Sequence, residues 1–174
     1  MNLLRKLFGR LRLKVNESKS AVAHIHKRQF LGFSFWTARG GDIRRRVSTK
    51  AKRAFMRRIR QLTRRTRGKS LEQVVQDLRE YILGWRSYYD VTQARSRLPA
   101  WDRWIRHRLR AYQLRQWGNA YRVYDAVRAL GLGHRHAAEL SAHHRSYWRA
   151  SMHQLNGALT NRYFAELGLP SVMR

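Results

Sequence analysis

A mainly α fold, with a small β unit near the N-terminus (about residues 21–47) leading into a basic helical bundle, is what this sequence predicts. Three observations carry it. From Ser70 to Val91 the apolar residues Leu71, Val74, Val75, Leu78, Tyr81, Ile82, Trp85, Tyr88 and Tyr89 recur at spacings of three and four, one stripe of a helix. Downstream, similar segments are separated by single helix-ending glycines, and prolines number only two. Between Phe30 and Val47 the pattern changes. Phe30, Leu31, Gly32, Phe33, Ser34 and Phe35 alternate as a half-buried strand does, Gly40, Gly41 and Asp42 form a turn, and Ile43 to Val47 can return as a second strand. With 43% hydrophobic residues the chain can build a packed core.

Taken in order, residues 1–14 form a short basic amphipathic segment with Leu3, Leu4, Leu7 and Phe8 on one side, and 15–19 have turn character. Ala21 to His26 and Phe30 to Trp36 are short apolar runs. A two- or three-stranded unit is marginal in water, so this one must lean on the helices that follow or on a partner. Ser48 or Thr49 caps a helix from Lys50 to about Arg65. With Phe55 at the centre of its apolar face, Ala51, Ile59 and Leu62 lie within about 40° at the helical period. Lys50, Arg53, Arg57, Arg60, Arg64 and Arg67 gather opposite, with no acid among them. Ser70 caps the hub helix, and Glu72 and Asp77 favour its early turns. Pro99 opens a Trp-rich helix to about Trp117, ended by Gly118; its Trp101, Trp104 and Leu109 read as core. Further helices are predicted at Tyr121 to Leu130, His134 to Ala142, Tyr147 to Leu155 and Leu159 to Leu167, the last closed by Gly168 and Pro170. No repeat or linker divides 48–174, which reads as continuous helical packing.

Charge narrows the function. Against 10 acidic residues stand 38 Lys and Arg, a net charge of +28, which calls for a polyanionic partner. Six Trp and eight Tyr are interleaved with the arginines, a pattern that suits nucleic acid better than a membrane surface. Cysteine is absent, which excludes disulfides, Cys-based zinc sites and a thiol nucleophile. No apolar run is long enough for a transmembrane helix, and the N-terminus does not read as a signal peptide. The expected location is the bacterial cytoplasm. Tyr88, Tyr89, Asp90 and Val91 approach the Tyr-x-Asp-Asp of reverse-transcriptase-type polymerases, but Val91 replaces the second Asp and the other acids are dispersed. His134 with His136 and His143 with His144 lack a third ligand type beyond Glu139. Glycine-rich phosphate loops and Gly-x-Ser-x-Gly are missing. No catalytic residue and no metal site is therefore assigned. The chemistry supported is binding: phosphate contacts from Lys50, Lys52, Arg53, Arg57, Arg58, Arg60, Arg64, Arg65, Arg67, Lys69 and Arg86, and from Arg103, Arg106 and Arg110 of the Trp-rich helix, with aromatic stacking on unpaired bases of folded RNA. Trp36, Trp117, Tyr121 and Trp148 sit beside glycine or arginine, and the sequence does not place them.

Several of these stretches together resemble the C-terminal half of bacterial group II intron reverse transcriptase/maturases. They are Phe30 to Phe35, Arg46 to Arg53, Ser70 to Val75, Leu83 to Tyr89, Trp104 to Arg110 and Leu159 to Pro170, in the family's order and spacing. The resemblance implies three regions: residues 1–47 as the end of a palm, with Phe30, Leu31, Gly32 and Phe33 as a primer-grip-like strand; 48–117 as the thumb or maturase-specific helical domain; and 118–174 as a short basic DNA-binding region. It implies a module that binds structured group II intron RNA and assists splicing, with target DNA as a further partner. The family's polymerase motifs have no counterpart here, so polymerase activity is not carried over. On that basis the chain is expected to be a truncated or split gene product. The alternatives are the C-terminal half of a split RNA-directed DNA polymerase, active only with an N-terminal reverse-transcriptase chain that would bring Mg, and a nonspecific nucleic-acid-binding protein. No cofactor is expected in this chain itself, and no membrane partner.

Overall fold

Eight helices and one three-stranded sheet make up the part of the chain that the computed structural model describes, residues 2–14, 16, 23–93, 98–152 and 154–172. Helix α1 (Asn2–Arg10) leads to a 3-10 turn at Ile25–Lys27 and to strands β1 (Gln29–Phe30), β2 (Phe33–Thr37) and β3 (Ile43–Val47). The sheet is antiparallel in the order β1-β2-β3, with Phe30 opposite Phe33 and Phe33 opposite Val47. Then come α2 (Thr49–Leu62), α3 (Leu71–Tyr89), α4 (Leu98–Trp117), α5 (Ala120–Ala129), α6 (His134–Ala142), α7 (Tyr147–Ala150), a 3-10 turn at Gln154–Asn156, and α8 (Asn161–Glu166). The predicted class, mainly α with a small N-terminal β unit, is the observed one. Of the apolar run predicted from Ala21, residues 21 and 22 lie outside the described residues.

The single alternating strand expected over Phe30 to Phe35 is instead a hairpin. Leu31 and Gly32 both have positive φ, 47° and 80°, the two-residue turn whose twist matches paired strands. The Tyr89 hydroxyl sits where a Cβ on residue 32 would go, so this position needs glycine twice over. Tyr88 donates to Leu31 O at 2.8 Å, and Phe33 packs on both tyrosine rings. The sheet thus leans on the end of α3.

Helix α2 begins where expected, with Ser48 Oγ accepting from Ala51 N at 3.2 Å. It ends three residues earlier than predicted. Thr63 leaves the helical region, its hydroxyl donates to Ile59 O at 2.7 Å, and Arg67 Nη1 donates to Leu62 O at 3.0 Å. Ile59 O thus accepts the Thr63 hydroxyl beside the Thr63 backbone N–H, and a side chain satisfies Leu62 O, which lies past the last backbone donor of the helix. Arg64, Arg65 and Arg67 consequently lie on a turn. The helix expected over Tyr147 to Leu155 is also cut short: Ser151 Oγ donates to Trp148 O at 2.8 Å, and a separate 3-10 turn follows.

Helix α3 is the hub. Ser70 and Gln73 form a reciprocal capping box at its start. Leu71, Val74, Val75, Leu78, Ile82, Trp85 and Tyr89 are buried along one stripe, whereas Tyr81 and Tyr88, predicted on the same stripe, are half-buried and exposed. Phe55 of α2 fills the gap between α3 and α4, with ring centroids 4.7 Å from Trp85 and 5.0 Å from Trp101. The same core continues through Leu109 and Tyr112 of α4, Val123 and Val127 of α5, Leu140 of α6, Leu155 and Phe164. Trp101 and Trp104, read from sequence as core, are only half-buried. The chain's end returns to the hub: Val172, fully buried, donates its N–H to Asp102 Oδ1 at 2.9 Å, and Arg79 donates to Gly168 O at 3.0 Å.

Candidate nucleic-acid interface

The outer face of α2 carries the first set of cations. Lys50, Arg53, Arg57, Arg58 and Arg60 are exposed, because Phe55, Ile59 and Leu62 commit the opposite face to the core. Arg64 and Arg65 extend the set onto the turn and are exposed too. Lys52 is half-buried. Arg58 Nη1 makes a long hydrogen bond to Gln61 Oε1, 3.4 Å.

Two aromatic rings organise the second set. Arg60 of α2 and Arg108 of α4 both lie over Trp104, at 5.5 and 5.4 Å from the ring centroid. Arg65 and Arg115 both lie over Tyr147 at the start of α7, at 5.3 and 5.6 Å. These are cation–π distances, and each ring holds a pair of like charges together. Arg108 is further fixed by Nε donating to Thr63 Oγ1 at 2.6 Å. Burial, with the charges of Arg60 and Arg65 beside it, pulls the Arg108 guanidinium below its ordinary value. Among the described residues no carboxylate pairs with any of these four arginines.

The other predicted contacts are dispersed. Arg67 and Lys69 converge on Asp77, at 3.2 and 2.7 Å, and are half-buried. The hydrogen bond from Lys69 is the main reason the Asp77 carboxyl sits below its usual range. Arg86 is half-buried and reaches Ser171 O at 3.5 Å. Arg103, Arg106 and Arg110 face a different element, the segment after α7, across a cavity of about 700 Å³. Arg110 is only 6% exposed and donates from Nε to Leu159 O at 2.8 Å.

Phe30 and Leu31 are each 65% exposed at the hairpin, and Gly32 and Phe33 are half-buried against α3. Trp36 is half-buried under Arg44, Trp117 packs against the core, Tyr121 is 83% exposed, and Trp148 meets His107 at a tilt of 35° with centroids 3.7 Å apart. His134 shares a hydrogen bond with Tyr124 at 2.5 Å, while His143 and His144 bond the carbonyls of Glu139 and Ser141.

Sequence reasoning missed the pairing of Arg108 with Trp104 and of Arg115 with Tyr147. The signal for Arg108 was present, four residues after Trp104 on one helix face. The signal for Arg115 was not, because its partner Tyr147 is distant in sequence and no local period links them.

One comparison with known proteins bears on this surface. Residues 52–130, from the first turn of α2 to just past α5, match the family model described as group II intron, maturase-specific domain. No curated protein matches the chain.

Proposed function

Because the chain carries the C-terminal maturase region of a group II intron protein, with the role in group II intron splicing and the association with intron RNA that this domain brings, we propose that it binds that RNA directly through α2, α4 and the start of α7. The observation that carries this reading is the pairing of Arg60 with Arg108 on Trp104 and of Arg65 with Arg115 on Tyr147, with no described carboxylate paired to them. A rigid set of guanidinium groups, pre-positioned by stacking, loses little freedom when it meets phosphate. The exposed row Lys50, Arg53, Arg57 and Arg60 extends the contact along the backbone of a folded RNA. The role is binding and support of RNA folding. Target DNA is a second ligand of the same basic surface, and Mg would enter only with a polymerase partner chain.

The test is a binding titration at several salt concentrations with group II intron RNA, an unrelated folded RNA and duplex DNA of equal length. A preference for the intron RNA that survives high salt is the expected result. Equal binding of all three that collapses with salt would leave charge alone as the explanation. In the same assay Arg57→Glu with Arg60→Glu lowers the slope of log K against log salt by about two or more. An unchanged slope would remove α2 from the interface.

A further inference from the structure

The cavity beside α4 has a chemistry the arginine surface does not share. Its lining joins Arg103, Arg106, His107 and Arg110 of α4 to Asn156 and Thr160, from a part of the chain outside residues 52–130. At about 700 Å³ it is the size of a small-molecule pocket, too confined for a nucleic-acid duplex. The three arginines form a gradient: Arg103 exposed, Arg106 half-buried and Arg110 buried. A guanidinium has five N–H donors. Arg110 uses Nε on Leu159 O and Nη2 on Asn161 Oδ1, at 2.8 and 3.4 Å, leaving donors for whatever fills the cavity. No described carboxylate pairs with it, and burial, with Arg106 adjacent, pushes its pKa down to about 10. An anion in the cavity would relieve that cost. The lining contains no acid, and it includes two planar rings, Trp104 and His107. The His107 ring is held in place by a tilted ring contact with Trp148 and by a hydrogen bond to Trp148 O at 2.9 Å.

We propose, on the basis of the RNA-binding reading above, that this cavity receives one unpaired nucleotide of the bound RNA, with its phosphate against Arg103, Arg106 and Arg110 and its base against the wall of Trp104 and His107. The arginine surface then supplies affinity for any polyanion, and the cavity supplies preference for RNA that offers an unstacked base. A continuous paired helix keeps its bases stacked and cannot enter.

The experiment uses the full chain and calorimetric titration with adenosine 5′-monophosphate, adenosine and inorganic phosphate, then two RNA hairpins that differ by a single bulged adenosine. The monophosphate is expected to bind at least about tenfold more tightly than either of its parts, and the bulged hairpin more tightly than the paired one. Asn156→Trp fills the cavity from an exposed position and keeps every arginine. It is expected to abolish both preferences. Arg103→Gln, at the exposed rim, weakens monophosphate binding by a change that leaves the packing alone. Arg53→Glu with Arg57→Glu, exposed on α2 and away from Trp104, weakens both hairpins alike and leaves the monophosphate bound. Equal binding of monophosphate and phosphate, untouched by Asn156→Trp, would overturn the proposal. So would a bulge preference that persists after Asn156→Trp has removed monophosphate binding, which would make the cavity a free-nucleotide site. Failure of the RNA-binding reading is a separate result: the double Glu variant would then leave hairpin affinity unchanged.

Discussion

Asp77 receives both Lys69 and Arg67 where α2 hands over to α3. Its carboxyl is held below 3.8, first by the hydrogen bond from Lys69. A carboxyl depressed in the folded state stabilises that state above its unfolded pKa, and the contribution is lost as pH falls through the folded value. Asp77→Asn should therefore cost about 1 kcal/mol or less near neutral pH, the pair being partly exposed, and should flatten the loss of stability below about pH 4. Urea unfolding across that range measures it, and parallel pH profiles for the two proteins would refute it. From sequence, Asp77 read as a helix-dipole residue and Arg67 and Lys69 as free cations. Their meeting depends on a turn at Gly68, where φ is 70°. A periodicity argument carries no information about such a turn.

At the scale of elements, the hub helix was the most legible part of the chain, because cap, stripe and length agree. Ser70→Ala removes the acceptor for Gln73 N and half of a reciprocal pair. It should cost about 1 kcal/mol in chemical denaturation without changing the fold. A change of a few tenths would mean that packing of Leu71 and Val74 alone sets the start of α3. Less legible were the ends of α2 and α7 and the hairpin at Leu31 and Gly32. In each of these, side chains or positive φ values end a pattern that the hydrophobic period would have continued. The tetrad Arg60, Arg65, Arg108 and Arg115 is an inter-element feature of the same sort, drawn from two helices and one turn.

At the scale of the whole bundle, the segment ending at Val172 packs back onto α3 and α4. Val172 is buried in the common core, and Ser171 and Val172 both bond Asp102 at the start of α4. Arg79 and Arg86 hold the same strand of chain from α3. Asp102→Ala should cost about 1–2 kcal/mol through the lost charge-assisted bonds, with a matching fall in Tm. It should also raise amide exchange across α3 and α4. A loss confined to the chain terminus would mean that the tail is an ornament on a bundle already complete.

The sequence by itself determined the fold class, the course of α3 and α6, and the face that α2 buries. All three follow from local periodicity, which neighbouring residues settle among themselves. Only the tertiary structure decided which cations share a ring, that Arg67 and Lys69 belong to Asp77, and that Arg110 lies buried beside a cavity whose far wall is some fifty residues away in the chain. Those outcomes rest on how α2, α4 and the C-terminal segment approach one another, and their approach is fixed by the packing of a common core.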